Sequence, residues 1–118
     1  MVLAIVDDLM FSSKIRTAAD QLGIYVTFAR SKDAALAAVR EAAPSLVILD
    51  LNSSRTDPLG TVATLKADAT TVAIRTVGYV SHVQTDVIEA ARQAGVDEVM
   101  ARSAFTARLA EILSGART

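Results

Sequence analysis

Strand-like and helix-like segments alternate five times along this chain, and that alternation leaves few folds open. Val2 to Val6 is a continuous apolar run, as expected of a strand buried on both faces. Phe11, Ile15, Ala18, Ala19 and Leu22 recur at helical spacing, and Gly23 stands where a helix ends. Tyr25 to Ala29 is β-branched and aromatic around polar Thr27, which predicts a less buried strand. Ser31 reads as the N-cap of an Ala-rich helix through Leu36, Val39 and Arg40, stopped by Pro44. Leu46 to Leu49 is a second fully apolar strand. Asn52 to Asp57 is a polar loop, after which Asp57 caps and Pro58 opens a helix with Leu59, Val62, Ala63 and Leu65 on its apolar face. Ile74 to Val80 gives the fourth strand, interrupted by Arg75 and Gly78. Thr85 reads as the cap of a helix carrying Val87, Ile88, Ala91 and Ala94, closed by Gly95. Val99 to Ala101 is a short strand. The last helix is expected from about Ala104 to Leu113, with Phe105, Leu109 and Ile112 on one face.

The sum is (βα)₅. Strand–helix–strand alternation requires right-handed crossovers and a parallel sheet covered by helices on both faces. The first, third and fourth strands are the most apolar and belong in the centre. The second and fifth are shorter or more polar and belong at the edges. The expectation is one three-layer α/β/α domain with a five-stranded parallel sheet in the flavodoxin-like order 2-1-3-4-5. In such sheets ligands bind beyond the carboxyl ends of the strands at the switch point, here between strands one and three.

Three aspartates fall at that place. Asp7 and Asp8 follow the first strand, and Asp50 follows the third. Clustered carboxylates repel and raise one another's pKa unless a cation compensates. A hard divalent cation with oxygen ligands, Mg²⁺ above all, answers that need. Taken singly, each aspartate could instead cap a helix or make a turn.

Bulk properties exclude other classes. The chain has 118 residues, enough for a single core without disulfides or structural metal. Apolar residues make up 52% and charged residues 21%, a globular balance. A formal net charge of −1 supplies no basic field for nucleic acid. The absence of cysteine excludes disulfides and thiolate chemistry, and the lone His82 excludes a histidine-rich metal site. The apolar runs are strand-length, far short of a membrane span. Met1-Val2-Leu3 enters a strand at once, with no signal-peptide n-region, so a soluble cytoplasmic protein is expected. No G-x-x-x-x-G-K-[ST] or G-x-G-x-x-G motif supports nucleotide binding.

Ile5-Val6-Asp7-Asp8, then Leu46-Val47-Ile48-Leu49-Asp50, and Ala94-Gly95-Val96-Asp97 before the last strand, resemble the CheY-like receiver domain of two-component response regulators. The resemblance spans the chain, 1–118, as one receiver-like domain with no output domain. It implies that Asp50 accepts a phosphoryl group from a histidine kinase or phosphotransfer protein. It implies that Asp7, Asp8, Asp50 and the backbone carbonyl of Asn52 hold Mg²⁺. It further implies signalling by protein docking through the surface around the fourth helix, fifth strand and fifth helix, with no substrate turnover of its own. Phosphoryl transfer of this kind rests on positioning and charge neutralisation.

The chain departs from the family pattern where signalling is read out. A hydroxyl residue ends the fourth strand in the family. Gap-free spacing puts Val80 there, and a one-residue shift puts Ser81 there. Ser81 is the expected contact, because only it can hydrogen-bond a phosphoryl oxygen. The Lys-Pro pair after the fifth strand is replaced by Arg102-Ser103. Arginine keeps the charge with a larger, forked head, and is expected to approach Asp50. The switch aromatic falls on Val99, and Ser53-Ser54 replace Met-Pro in the acceptor loop. Two other readings therefore remain. One is a pseudo-receiver that docks proteins without being phosphorylated. The other is a small Mg²⁺-dependent phosphohydrolase, disfavoured because Asp50-Leu51-Asn52 lacks a second acid.

Overall fold

Five strands form one parallel sheet: β1 (Val2–Ile5), β2 (Val26–Ala29), β3 (Leu46–Asp50), β4 (Arg75–Val80) and β5 (Glu98–Ala101), in the order β2-β1-β3-β4-β5. The computed structural model describes residues 1–81 and 84–115. Helices α1 (Leu9–Leu22), α2 (Lys32–Ala42), α3 (Pro58–Ala67), α4 (Thr85–Ala94), α5 (Arg102–Ala107) and α6 (Leu109–Gly115) alternate with the strands and cover both faces. The flavodoxin-like order expected from strand polarity is the order found. None of the helices among the described residues is long and apolar enough to cross a membrane.

Side chains alternate across each strand, so the sheet builds two cores. Val2, Ala4, Val6, Leu46, Ile48, Val77 and Tyr79 face α1, α5 and α6, meeting Phe11, Ile15, Phe105, Leu109 and Ile112. Leu3, Ile5, Val47, Leu49 and Val80 face the opposite layer, meeting Val39, Val62, Leu65 and Ala91. All four residues of β1 are fully buried. The edge strands β2 and β5 are only partly buried, in keeping with their more polar sequences.

Local signals behave as their chemistry dictates. Gly23 and Gly95 close α1 and α4 in the left-handed conformation, at φ 68° and 108°. The Ser31 hydroxyl accepts from Ala34 N–H and the Asp57 carboxylate from Gly60 N–H.

Two expectations need correction. Thr85 is the first helical residue of α4 rather than its cap. Gln84 holds the cap position without a side-chain cap bond, because its side chain accepts from Asn52 instead. The single last helix is in fact two. Arg108 adopts φ −101° and ψ 9° between α5 and α6. Its guanidinium pairs with Glu98 on β5 and with Glu111 on α6. The bend lets Phe105 stack on Tyr79 at 4.9 Å while Leu109, Ile112 and Leu113 stay buried in the same core. There are no cis peptide bonds among the described residues.

Candidate acidic site at the carboxyl edge of the sheet

Parallel register sets the site. Ile5 pairs with Leu49, so the chain leaves β1 and β3 side by side, with Asp7 and Asp8 beyond one and Asp50 ending the other. Asp50 pairs in turn with Tyr79 of β4. Alternation along β3 puts Asp50 on the same sheet face as Leu46 and Ile48, beneath α1 and α5.

Each aspartate has a different set of partners. Asp8 is the N-cap of α1. Its Oδ1 accepts from the backbone N–H of Met10 at 2.9 Å and of Phe11 at 3.3 Å. Its Oδ2 accepts from Arg102 Nη2 at 2.9 Å. The Phe11 N–H is the main reason its carboxyl titrates below the usual carboxylate range, with Arg102 adding to the effect against partial burial. Asp7 lies 4.0 Å from Arg55 Nε, a loose and exposed pairing. Asp50 accepts from Asn52 N–H at 3.0 Å. Burial pushes the Asp50 carboxyl up, and the charges of Asp7 and Asp8 push the same way. The Asn52 N–H and the Arg102 charge oppose this without cancelling it.

Arg102 therefore approaches the site as expected but chooses a different acid. Its ion pair is with Asp8, and among the described residues Asp50 has no arginine within ion-pair distance. The aromatic residues beside it explain the choice. The guanidinium carbon lies 4.6 Å from the Phe11 ring centroid and 5.9 Å from that of Tyr79. An arginine can stack by its face and pair by its edge at once.

Val80 and Ser81 part at the end of β4. Val80 is fully buried in the second core, and Ser81 is exposed. The Ser81 N–H donates to Asn52 Oδ1 at 2.6 Å, and Asn52 Nδ2 donates to Gln84 Oε1 at 2.7 Å. Asn52 thus ties the loop after Asp50 to the loop after β4. A cleft of about 670 Å³ opens beside these groups, lined by Asp8, Phe11, Lys14, Ser81, Arg102 and Ser103 among others. His82 lies outside the described residues. Val99 packs partly buried against the second core.

The acids carry the hard oxygen chemistry that a divalent cation requires. Their arrangement is one closed by arginine: both Asp8 oxygens are engaged, and among the described residues no three acidic or histidine side chains converge on one metal position. Asp7, Asp8 and Asp50 supply the oxygen donors such an ion takes, with Asp8 held by Arg102.

Sequence reasoning overlooked three contributors. Arg55 reads as one residue of a polar loop, but its Nε stands 4.0 Å from the Asp7 carboxylate. Lys14 reaches the cleft and lies 5.8 Å from the Phe11 ring centroid, a position that α1 periodicity could have supplied. Tyr79 was a strand residue like its neighbours. Its place opposite Asp50 follows from register, which strand polarity alone does not fix.

No protein-family model and no curated protein matches the chain. Solved structures do. The phosphorylated cyanobacterial phytochrome response regulator RcpA is 25% identical, with a TM-score of 0.79 over 97% of this chain and 88% of that one. The Mn²⁺-bound form of response regulator Rcp1 is 20% identical, with a TM-score of 0.80 over 96% and 91%. The receiver domain of NtrX from Brucella abortus is 23% identical, with a TM-score of 0.83 over 98% and 97%. Strand order, helix placement and near-complete mutual coverage agree: this chain has the fold of the response-regulator receiver domains.

Proposed function

We propose that the protein is a receiver module of a two-component phosphorelay, accepting a phosphoryl group on Asp50 and signalling by docking. The observation that carries this reading is the place of Asp50. It ends β3 at the switch point of a receiver fold, flanked by Asp7 and Asp8, with a carboxyl that burial has already perturbed. An Asp50 oxygen attacks phosphorus in line, forming an acyl phosphate as the P–N bond of a phosphohistidine breaks and the imidazole leaves. Asp7, Asp8, Asp50 and the Asn52 carbonyl are the groups that would hold Mg²⁺. When bound, the ion offsets negative charge on the transferred oxygens. The Mn²⁺-bound Rcp1 structure supports a divalent ion in this fold. Ser81 and Arg102 line the cleft beside the acids and are the proposed donors to the phosphoryl oxygens.

The donor is a histidine kinase or phosphotransfer protein, and the output is a protein that docks on α4, β5 and the last pair of helices, α5 and α6. No separate substrate is turned over, and the cytoplasm is the proposed compartment. The test is intact mass after incubation with Mg²⁺ and acetyl phosphate. One phosphoryl adduct is expected, and its absence in Asp50→Asn locates it.

A second reading has its own observation. Both Asp8 oxygens are engaged, Val80 is fully buried, and by the family resemblance the aliphatic Val99 falls where the switch aromatic stands. A pseudo-receiver that docks proteins without phosphorylation would show no adduct, whether or not it binds a divalent ion.

A further inference from the structure

The Arg102 guanidinium is gripped from two directions. Its edge donates to Asp8 Oδ2 at 2.9 Å, and its face lies 4.6 Å from the Phe11 centroid. Asp8 offers no second free oxygen, because Oδ1 accepts from Met10 and Phe11 at the start of α1. A cation entering between Asp7, Asp8 and Asp50 therefore meets a carboxylate that already has one. Arg102 Nε is buried without a hydrogen-bond partner among the described residues. An orphaned donor is costly, so this seat is occupied at a disadvantage that departure would relieve. Phe11 remains as a shelf for the departing guanidinium, since stacking does not depend on Asp8. Arg55 exerts no comparable hold. Its side chain is 71% exposed and stands 4.0 Å from Asp7.

We propose that Arg102 is the resident counter-ion of the acid site, and that a divalent cation reaches Asp8 only by displacing it. The inference rests on the reading of Asp7, Asp8 and Asp50 as a metal-binding group. Divalent binding is then an exchange of one cation for another. The ion pair with Asp8 makes its affinity weaker than the acids alone would give. The position of Arg102 reports whether the ion is present. The competing picture is a strut: Arg102 holds Asp8 in the orientation a metal needs, and its removal weakens binding.

Direct titration separates the two without any phosphodonor. Mn²⁺ is titrated into the wild type and Arg102→Gln, with free Mn²⁺ read by electron paramagnetic resonance. Glutamine removes the charge and leaves a shorter polar stem. Thermal melts establish that the variant is folded. Tighter binding by Arg102→Gln, by about threefold to fivefold, is expected, the worth of a partly exposed ion pair. In the wild type, Mg²⁺ should shift the Arg102 Nε–H resonance in ¹⁵N spectra as the guanidinium leaves Asp8. This titration decides the matter by itself if the variant does not fold. Equal affinity of the two proteins, weaker binding by Arg102→Gln, or an unmoved Nε–H resonance at saturating Mg²⁺ overturns the exchange. No Mn²⁺ binding by either protein overturns it too. Labelling of Asp50 by acetyl phosphate in the same preparation then decides the phosphoacceptor reading separately.

Discussion

Tyr79 stands directly opposite Asp50 in the β3–β4 register, so a fully buried phenol borders the acid that ends β3. Its ring lies between Phe11 and Phe105, with centroids 4.9 Å from each. Burial raises the phenol's pKa, and the nearby Asp50 charge reinforces this, so the hydroxyl stays protonated. Yet among the described residues that hydroxyl has no hydrogen-bond partner. The aromatic trio supplies packing, and the hydroxyl adds a desolvation cost to it.

Tyr79→Phe should therefore stabilise the protein. Removing an unpaired buried hydroxyl while keeping the ring recovers about 1 kcal/mol, which corresponds to a Tm increase of roughly 3–6 °C for a domain of this size. Differential scanning calorimetry checks it. A fall in Tm would mean that the hydroxyl is bonded, for instance to a buried water. Tyr79→Ala instead removes the centre of the trio and should cost about 3–5 kcal/mol.

The two perturbed aspartates should oppose each other in the pH dependence of stability. Asp50 has a raised folded pKa, so its protonated form favours folding. That contribution is complete below the unfolded value near 3.8 and is lost as pH rises through the folded value. Asp8 has a lowered folded pKa. Its contribution is present above the same unfolded value and is lost as pH falls through the folded one. Asp50→Asn should thus gain stability at neutral pH, with the gain shrinking toward pH about 3, where the wild-type carboxyl is largely protonated in both states. Asp8→Asn keeps a competent cap but loses the Arg102 charge pairing. It should lose stability at neutral pH, and the loss should shrink on acidification. Urea denaturation of the three proteins at the two pH values checks both signs. A neutral-pH loss for Asp50→Asn would contradict the desolvation account.

How much of this was legible follows from which interactions are local. The sheet order came from strand polarity, because an apolar run such as Val2 to Val6 can only be central. The placing of Asp7, Asp8 and Asp50 at one edge of the sheet came from topology. The choice of partner by Arg102 did not. It depends on Phe11 reaching the site from α1, a contact remote in sequence that no spacing encodes. The break at Arg108 was equally hidden. Arg108 at the break makes a tertiary pairing with Glu98 of β5, while the Phe105, Leu109 and Ile112 periodicity runs on unbroken.

Gly78 in β4 is required by Leu51, the residue after Asp50. A Cβ at position 78 would stand 2.7 Å from Leu51 Cδ1 and 2.9 Å from its Cγ. Leu51 is nearly buried and cannot simply turn away. Gly78→Ala should cost about 1–3 kcal/mol by overpacking. Adding Leu51→Ala should recover part of that cost, because the smaller side chain clears the new methyl group. Denaturation of both single variants and the double variant gives the coupling energy. Strict additivity would show that the two side chains do not meet.

Gln84 links the capping of α4 to the order of the acid-site loops. It occupies the N-cap without capping, and its Oε1 holds Asn52, whose own oxygen receives the Ser81 N–H. Gln84→Ser should invert these priorities. A serine hydroxyl reaches the first turn of α4 and stabilises it by about 1 kcal/mol, but it is too short to retain the Asn52 amide. The protein should then become more stable overall while the Ser81 amide becomes less protected. Hydrogen exchange read residue by residue checks the pair of effects. Faster exchange at Ser81 with slower exchange in α4 is the expected pattern, because exchange reports local opening separately from global stability. Unchanged protection at Ser81 would mean that Asn52 is held by its loop alone, and that Gln84 has no part in ordering the edge of the site.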